Sequence, residues 1–204
     1  MADPDIDALR DRILATPLQN TRRIIALAGA PASGKSTLAR RLADRVPAAK
    51  VLPMDGFHLD NDTLRARGRF DRKGAPDTFD VDGLRAVLEA IRTQPDVPYP
   101  TFDRANDRVV PDADRITAKD RTIIVEGNYL LLTKEPWATL APVWDMSVML
   151  LIPMETLQQR LVQRWRDHGM PPDAAQNRAA LNDLPNAQCV TQHSRPADAT
   201  IGTG

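Results

Sequence analysis

"RIIALAGAPASGKSTLARRLA", residues 23–43, places an apolar run, a glycine-rich turn and an amphipathic run in immediate succession. The apolar run ending at Gly29 has the character of a strand buried on both faces. Leu38 and Leu42, with Val46 beyond them, keep the spacing of one face of a helix. Between the two, Gly29, Gly34, Lys35 and Ser36 stand at the spacing of a phosphate-binding loop, with four residues separating the glycines and a lysine and a hydroxyl following. By average residue frequencies such a pattern arises by chance on the order of 0.01 times in a chain of this length. A loop wrapped round a triphosphate must turn several backbone N–H groups inward, and the helix behind it aims its positive end at the same place. Gly29, Ala30, Pro31, Ala32, Ser33, Gly34, Lys35, Ser36 and Thr37 are therefore expected to cradle ATP, Lys35 bridging the β and γ phosphates and the Ser36 hydroxyl ligating Mg²⁺.

Working outward, "KVLPM", "RTIIVEGNYLLL" and "MSVMLLI" read as further buried strands, and "VDGLRAVLEAIRTQ" as a helix burying Val81, Leu84, Val87, Leu88 and Ile91. Asp3 and Pro4 are expected to cap and open a first helix within residues 1–20, with Ile6, Leu9, Ile13 and Leu14 on its apolar positions. "ADATI" fits a last edge strand. Helices interleave with strands, so the expected class is α/β: a P-loop NTPase fold of three α/β/α layers around a mostly parallel five-stranded sheet, one domain over residues 1–204. Residues 54–80 and 93–119 are polar, proline-punctuated excursions expected to run without regular structure until the next helix, save for a small hairpin turning at "RAND". They are expected to cap the strand ends, and residues 153–172 to form a lid.

The 27 basic and 27 acidic side chains cancel and are mixed along the chain, so no basic stripe calls for nucleic acid. One cysteine, Cys189, excludes an internal disulfide. "MADPDIDALRDRIL" lacks the charged and then apolar run of a signal peptide, and "MSVMLLI", the longest apolar stretch, is strand-sized. The expectation is a cytoplasmic protein off the membrane, monomeric or homodimeric, with a small hydroxylated molecule as its partner.

Three features beyond the loop bear on its chemistry. Asp55 in "MDGFH" ends the strand after the loop's helix, where a carboxylate can take a proton from an attacking hydroxyl or hold a Mg²⁺ water; Asp-Gly is equally a common turn pair. Glu126 in "TIIVEGNY" closes four apolar residues, as in a Walker B element; a solvated strand end with a polar turn at Asn128 is the plainer account. In "PMETLQQRLVQRWRDHGM", with Leu157, Leu161, Val162 and Trp165 set toward the core, Arg160 and Arg164 stand one turn apart and can clamp phosphoryl oxygens; an ordinary solvated face is the alternative.

"GAPASGKS", "MDGFH", "VEGNYLLL" and the arginine helix, in this order, resemble the superfamily of phosphoribulokinase, uridine kinase and bacterial pantothenate kinase, and within it the small kinases named as fructose transport system kinases. The likeness runs from Arg23 over nearly the whole chain. It implies a general base at Asp55, a Walker B-like acid at Glu126, lid arginines at Arg160 and Arg164, and an acceptor pocket near Phe57, His58, Lys73, Arg104 and Asn128; surface polarity alone explains His58, Lys73 and Arg104 as well. It also sets "LNDLPNAQ" near the adenine.

The polar loops and the scarcity of rings, two tyrosines and four phenylalanines, favour a sugar or polyol hydroxyl as acceptor. A nucleoside or pantothenate-like acceptor is the alternative within the same chemistry. A protein that binds ATP and signals by loop closure is the alternative outside it, and has no need of a carboxylate at Asp55. No Asn-Lys-x-Asp guanine signature occurs.

Overall fold

The computed structural model describes residues 3–202, with side chains from residue 5 onward, so the cap expected of Asp3 and Pro4 lies outside the described side chains. Helix α1 (Asp3–Ala15) leads into strand β1 (Arg23–Gly29), the loop, and helix α2 (Lys35–Ala43). Strands β2 (Ala49–Pro53), β5 (Thr122–Gly127), β6 (Met146–Leu151) and β7 (Ala199–Gly202) join β1 in one parallel sheet ordered β2-β5-β1-β6-β7. Strand β1 is central, and its neighbours β5 and β6 lie on opposite sides of it, so the chain leaves β1 where the strand order reverses. That is where an open α/β sheet presents its binding crevice.

Both sheet faces are covered, which explains the unbroken apolar runs. Ile24, Ala26, Ile123 and Val125 pack with Leu84, Leu88 and Ile91 of helix α4 (Val81–Thr93). Ile25, Leu27, Ile124 and Val148 face Ile6, Leu9 and Ile13 of α1 and Leu38 and Leu42 of α2. Leu14, expected in that stripe, is 41% exposed, since only Ile13 of the adjacent pair can face the sheet.

The expected five-stranded α/β architecture stands, with three local corrections. Strand β5 stops at Gly127, and "YLLL" is buried outside the sheet, with only an isolated antiparallel bridge from Leu132 to Ser194: Tyr129 donates its hydroxyl to the Gly74 carbonyl at 2.5 Å, and Leu130 offers its own carbonyl to Trp144 Nε1 at 3.2 Å. Residues 54–80 hold short helices, among them α3 (Asn61–Ala66), whose start is fixed by Asp60 accepting from the Thr63 N–H at 2.8 Å. In α5 (Met154–Asp167) Leu157 and Leu161 are buried, but Val162 and Trp165 are half-buried. Trp165 donates to Asp183 at 2.5 Å, within the π-helical stretch Ala179–Asp183 that joins α6 (Pro172–Arg178) to α7 (Leu184–His193).

The expected hairpin is present as the antiparallel pair β3 (Val97–Asp103) and β4 (Arg108–Ile116), outside the main sheet. Two cations, Arg22 buried and Arg92 half-buried, brace the end of the sheet away from the loop. Arg22 donates to the carbonyls of Ile91, Gln94, Pro95, Thr117 and Asp120 at 2.6–3.0 Å. Arg92 pairs at 2.7 Å with Asp145, which also accepts from the Ile24 N–H. No helix among the described residues is long and apolar enough to cross a membrane.

Candidate active site

The loop after β1 is shaped by two left-handed residues, Ala32 at φ 61° and Gly34 at φ 94°. A side chain at Gly34 would meet nothing, so its backbone angle and not space is what asks for glycine. Gly34 opens α2 without a side-chain cap, which leaves the first helical N–H groups for an anion. Ser33 is buried and its hydroxyl has no partner. Arg160 reaches the loop from α5, its Nη1 lying 3.4 Å from the carbonyls of Ala32 and Ser33. Arg164, the next turn along, lies 3.7 Å from Asp183 and close enough to Lys35 to depress its proton affinity.

The second half of the site is assembled by two glycines that tolerate no side chain. Residues Met54–Phe57 form a single 3-10 turn after β2. A Cβ on Gly56 would fall 2.0 Å from the Pro100 carbonyl oxygen of β3, and one on Gly127 would fall 2.5 Å from the Met54 Cβ. The glycine of "MDGFH" thus admits the hairpin, and that of "VEGNY" admits the turn. With Pro53 in register with Glu126 across the parallel β2–β5 pair, Asp55 and Glu126 come to the same end of neighbouring strands.

Ser36 Oγ donates to Glu126 Oε1 at 2.9 Å. Burial raises the Glu126 carboxyl above the usual range, against the pull of Lys35; burial likewise lowers Lys35, against Glu126 and Asp55. Asp55 Oδ2 accepts a short hydrogen bond from the Arg104 guanidinium at the hairpin tip. A cavity of about 340 Å³ collects Ser36, Asp55, Arg104 and Glu126 with Arg40, Val51, Pro53, Thr101 and Phe102. A hydroxyl and a carboxylate in contact are hard oxygen donors suited to Mg²⁺. No group of three or more acidic, histidine or cysteine side chains able to hold a metal occurs among the described residues.

The other expected acceptor residues lie behind this cavity. Phe57 is buried in the core. His58 is stacked between Phe79 and Phe102, with centroids 4.2 and 4.6 Å away. Lys73 is held by Asp107 Oδ1 at 2.8 Å and Asn61 at 2.7 Å, which ties the two excursions into one cap. Asn128 is half-buried, its Oδ1 without a partner. Asn182 and Asn186 of "LNDLPNAQ" donate to the carbonyls of Lys73 and Gly74, fastening the cap to the C-terminal helices. Arg40 is a cavity residue the reading of motifs passed over; it stands one helical turn after Ser36 on the same face, which is the signal that was there to find. A larger groove of about 660 Å³, lined by residues 132–137, by Arg69, Pro76 and Asp77 and by α7, includes Pro185 and Gln188 of "LNDLPNAQ" and no other expected residue.

Comparison with known proteins places the chain among kinases. The family model described as "AAA domain" matches residues 24–184. The crystal structure of a "putative fructose transport system kinase" from Silicibacter sp. TM1040 is 46% identical with a TM-score of 0.93, over 96% of this chain and 98% of that one. "Uncharacterized protein YggC" of Escherichia coli is 37% identical over 92% of this chain and 81% of its own length. "Putative uridine kinase C227.14" of Schizosaccharomyces pombe is 32% identical over 97% and 92% respectively.

Proposed function

The chain belongs to the P-loop kinases of the AAA-domain family, and from that premise we propose that it is an ATP-dependent kinase for a hydroxyl of a sugar or polyol-like metabolite. The observation that carries the reading is the opening of Asp55 on the same small cavity as Ser36 and Glu126. A kinase needs a base on the acceptor side of the γ-phosphate, whereas an ATP-binding signalling protein does not. Asp55 takes the proton of the acceptor hydroxyl. The acceptor oxygen forms its bond to the γ-phosphorus as the bond from that phosphorus to the β–γ bridging oxygen breaks, and ADP departs with the electron pair. Lys35, the helical N–H groups behind Gly34, and Arg160 and Arg164 oppose the negative charge spread over the transferring group. Ser36 and Glu126 would hold Mg²⁺, which when bound neutralises charge on the phosphate oxygens.

The names of related chains divide among uridine, pantothenate and fructose transport, so the acceptor is argued from the cavity. Phe102 is the one aromatic ring among the residues that line it, which leaves a nucleobase no pair of rings to stack between. A coupled ADP-release assay across fructose, ribose, other sugars and polyols, uridine and pantothenate tests the reading. A sugar or polyol, neutral or as its acid or phosphate, should stimulate release more than uridine or pantothenate does. Acceptor-independent ADP release throughout, with ATP still raising the melting temperature, would favour a binding protein instead.

A further inference from the structure

We infer that the acceptor carries an anionic group, a carboxylate or a phosphate, and that Arg104 couples the binding of that group to the unmasking of Asp55. The inference rests on the reading of the chain as a kinase whose base is Asp55. It begins from a conflict: the side chain best placed to accept a proton is occupied by a guanidinium. Such a pair occupies Oδ2 of the carboxylate and competes there with an acceptor hydroxyl.

Three observations give Arg104 somewhere else to go. Its side chain is 72% exposed and reaches Asp55 from the turn between β3 and β4, so it can swing without moving the backbone. That turn is itself pinned: Asp107 is held by Lys73 and Asn61, and Asp103 accepts from the N–H groups of Ala105 and Asn106 at 3.1 and 3.2 Å. Across the cavity Arg40 is exposed and has no ion pair among the described residues. Neighbouring cations are all committed, Lys73 to Asp107, Lys50 to Asp114, Arg108 to Asp103 and Arg115 to Asp96. Arg40 and Arg104 are thus the two cavity cations left for a ligand, while Lys35, Arg160 and Arg164 stand on the side of the nucleotide phosphates.

An acceptor anion between Arg40 and Arg104 offers each guanidinium a planar, two-point partner. Arg104 turns to it, and Asp55 is released at the moment an acceptor is bound. A neutral sugar offers Arg104 no such partner, so Asp55 is freed less often and the sugar is phosphorylated more slowly. Turnover of water is slowed in the same way, since it cannot draw the guanidinium off.

The test compares matched acceptors in the ADP-release assay: a neutral sugar or polyol, its sugar acid and its sugar phosphate. One or both anionic forms should exceed the neutral form by roughly tenfold or more in kcat/KM, the scale set by leaving a charged group of the site unpaired, and the two anionic arms tell carboxylate from phosphate. Arg104→Gln should lower kcat/KM for the anionic acceptor and raise kcat for the neutral one, because Asp55 is no longer masked; a merely structural role would lower both. Arg40→Gln should raise KM for the anionic acceptor alone. A neutral acceptor used as well as its acid and phosphate, or an anion preference that survives both substitutions, would overturn the inference. Failure of the kinase reading looks different: no acceptor of any charge stimulates ADP release. Calorimetry of the same sugar acids and phosphates, with a non-hydrolysable ATP analogue present, then still decides, since binding lost in Arg104→Gln supports the anion site and its absence in the unaltered protein refutes it.

Discussion

The imidazole Nδ1 of His58 lies 2.8 Å from the carbonyl oxygen of Asp55. A carbonyl only accepts, so Nδ1 carries the hydrogen and the ring braces the backbone of the candidate base from behind. Burial between Phe79 and Phe102 lowers the proton affinity of the ring; the charge of Asp55 and the bond to its carbonyl work against that, and Lys73 and Arg104 add to it. A histidine depressed by folding binds fewer protons folded than unfolded, so stability is lost as pH falls through the ordinary value of 6.5 toward the lowered one. The melting temperature should therefore drop on going from about pH 7.5 to about pH 5.5, and drop less in His58→Asn, which keeps a donor for the carbonyl but does not titrate. Equal slopes in the two proteins would show that the ring is not the titrating group.

Asp55→Asn should retain ATP binding, seen as an unchanged ATP-induced rise in melting temperature. Acceptor-dependent ADP release should fall by about 10²–10⁴-fold, the range for loss of a general base. Turnover near the unaltered rate would remove Asp55 from the chemistry.

Glu126→Gln keeps the contact with Ser36 within reach but removes a charge from the expected Mg²⁺ shell. The Mg²⁺ concentration for half-maximal activity should rise roughly 10–100-fold. Because burial raises the Glu126 carboxyl, Mg²⁺-dependent nucleotide binding should strengthen as pH rises and the carboxyl ionises, and Glu126→Gln should flatten that dependence in titrations of nucleotide with and without the metal.

Gly56→Ala forces a methyl group against the Pro100 carbonyl and must push the hairpin off the turn. The expected cost is about 1–3 kcal/mol of stability in denaturant unfolding, the usual range for overpacking. The rise in acceptor KM should exceed the loss of ATP affinity, since the displaced backbone belongs to the cap and not to the phosphate loop.

Arg22→Met strands several carbonyls that Arg22 now satisfies. At about 1–3 kcal/mol for a buried group left unsatisfied, the loss should be on the order of 3 kcal/mol or more after solvent reaches the outer ones. For a domain of this size that is a fall in melting temperature of roughly 6–12 °C, with ATP affinity unchanged because Arg22 braces the far end of the sheet.

What could be read from residue order was whatever has a period or a spacing. Strand β1, the loop and α2 follow from apolar runs and two glycines, and Asp55 and Glu126 follow as the polar residues that end apolar strands. Contacts between distant segments left no such mark. Arg104 meets Asp55 across 49 positions and Arg22 gathers carbonyls up to 98 positions away, because loops that share no period are brought together only by the finished fold. The helix α3 was hidden by its shortness, a single cap at Asp60 with one buried side chain, Leu64. Lys73 is placed near the acceptor by resemblance alone; the bonds by which its ammonium joins two loops follow from no motif.

The β3–β4 hairpin shares no ladder with the five-stranded sheet and meets it through the turn that carries Gly56. The half of the molecule that would recognise the acceptor is joined to the half that would handle the nucleotide by that turn and by side chains: Tyr99 donates to the Val51 carbonyl, Lys50 pairs with Asp114, and Val97, Tyr99 and Ile116 are buried in the core beside α4. Such a joint lets an ancestral enzyme change its substrate by altering the hairpin tip while the phosphate loop stays as it was. It also gives a protein engineer a defined graft: the hairpin tip between residues 100 and 113, with Gly56, Lys50 and the core positions Val97, Tyr99 and Ile116 retained, exchanged between relatives that act on different acceptors.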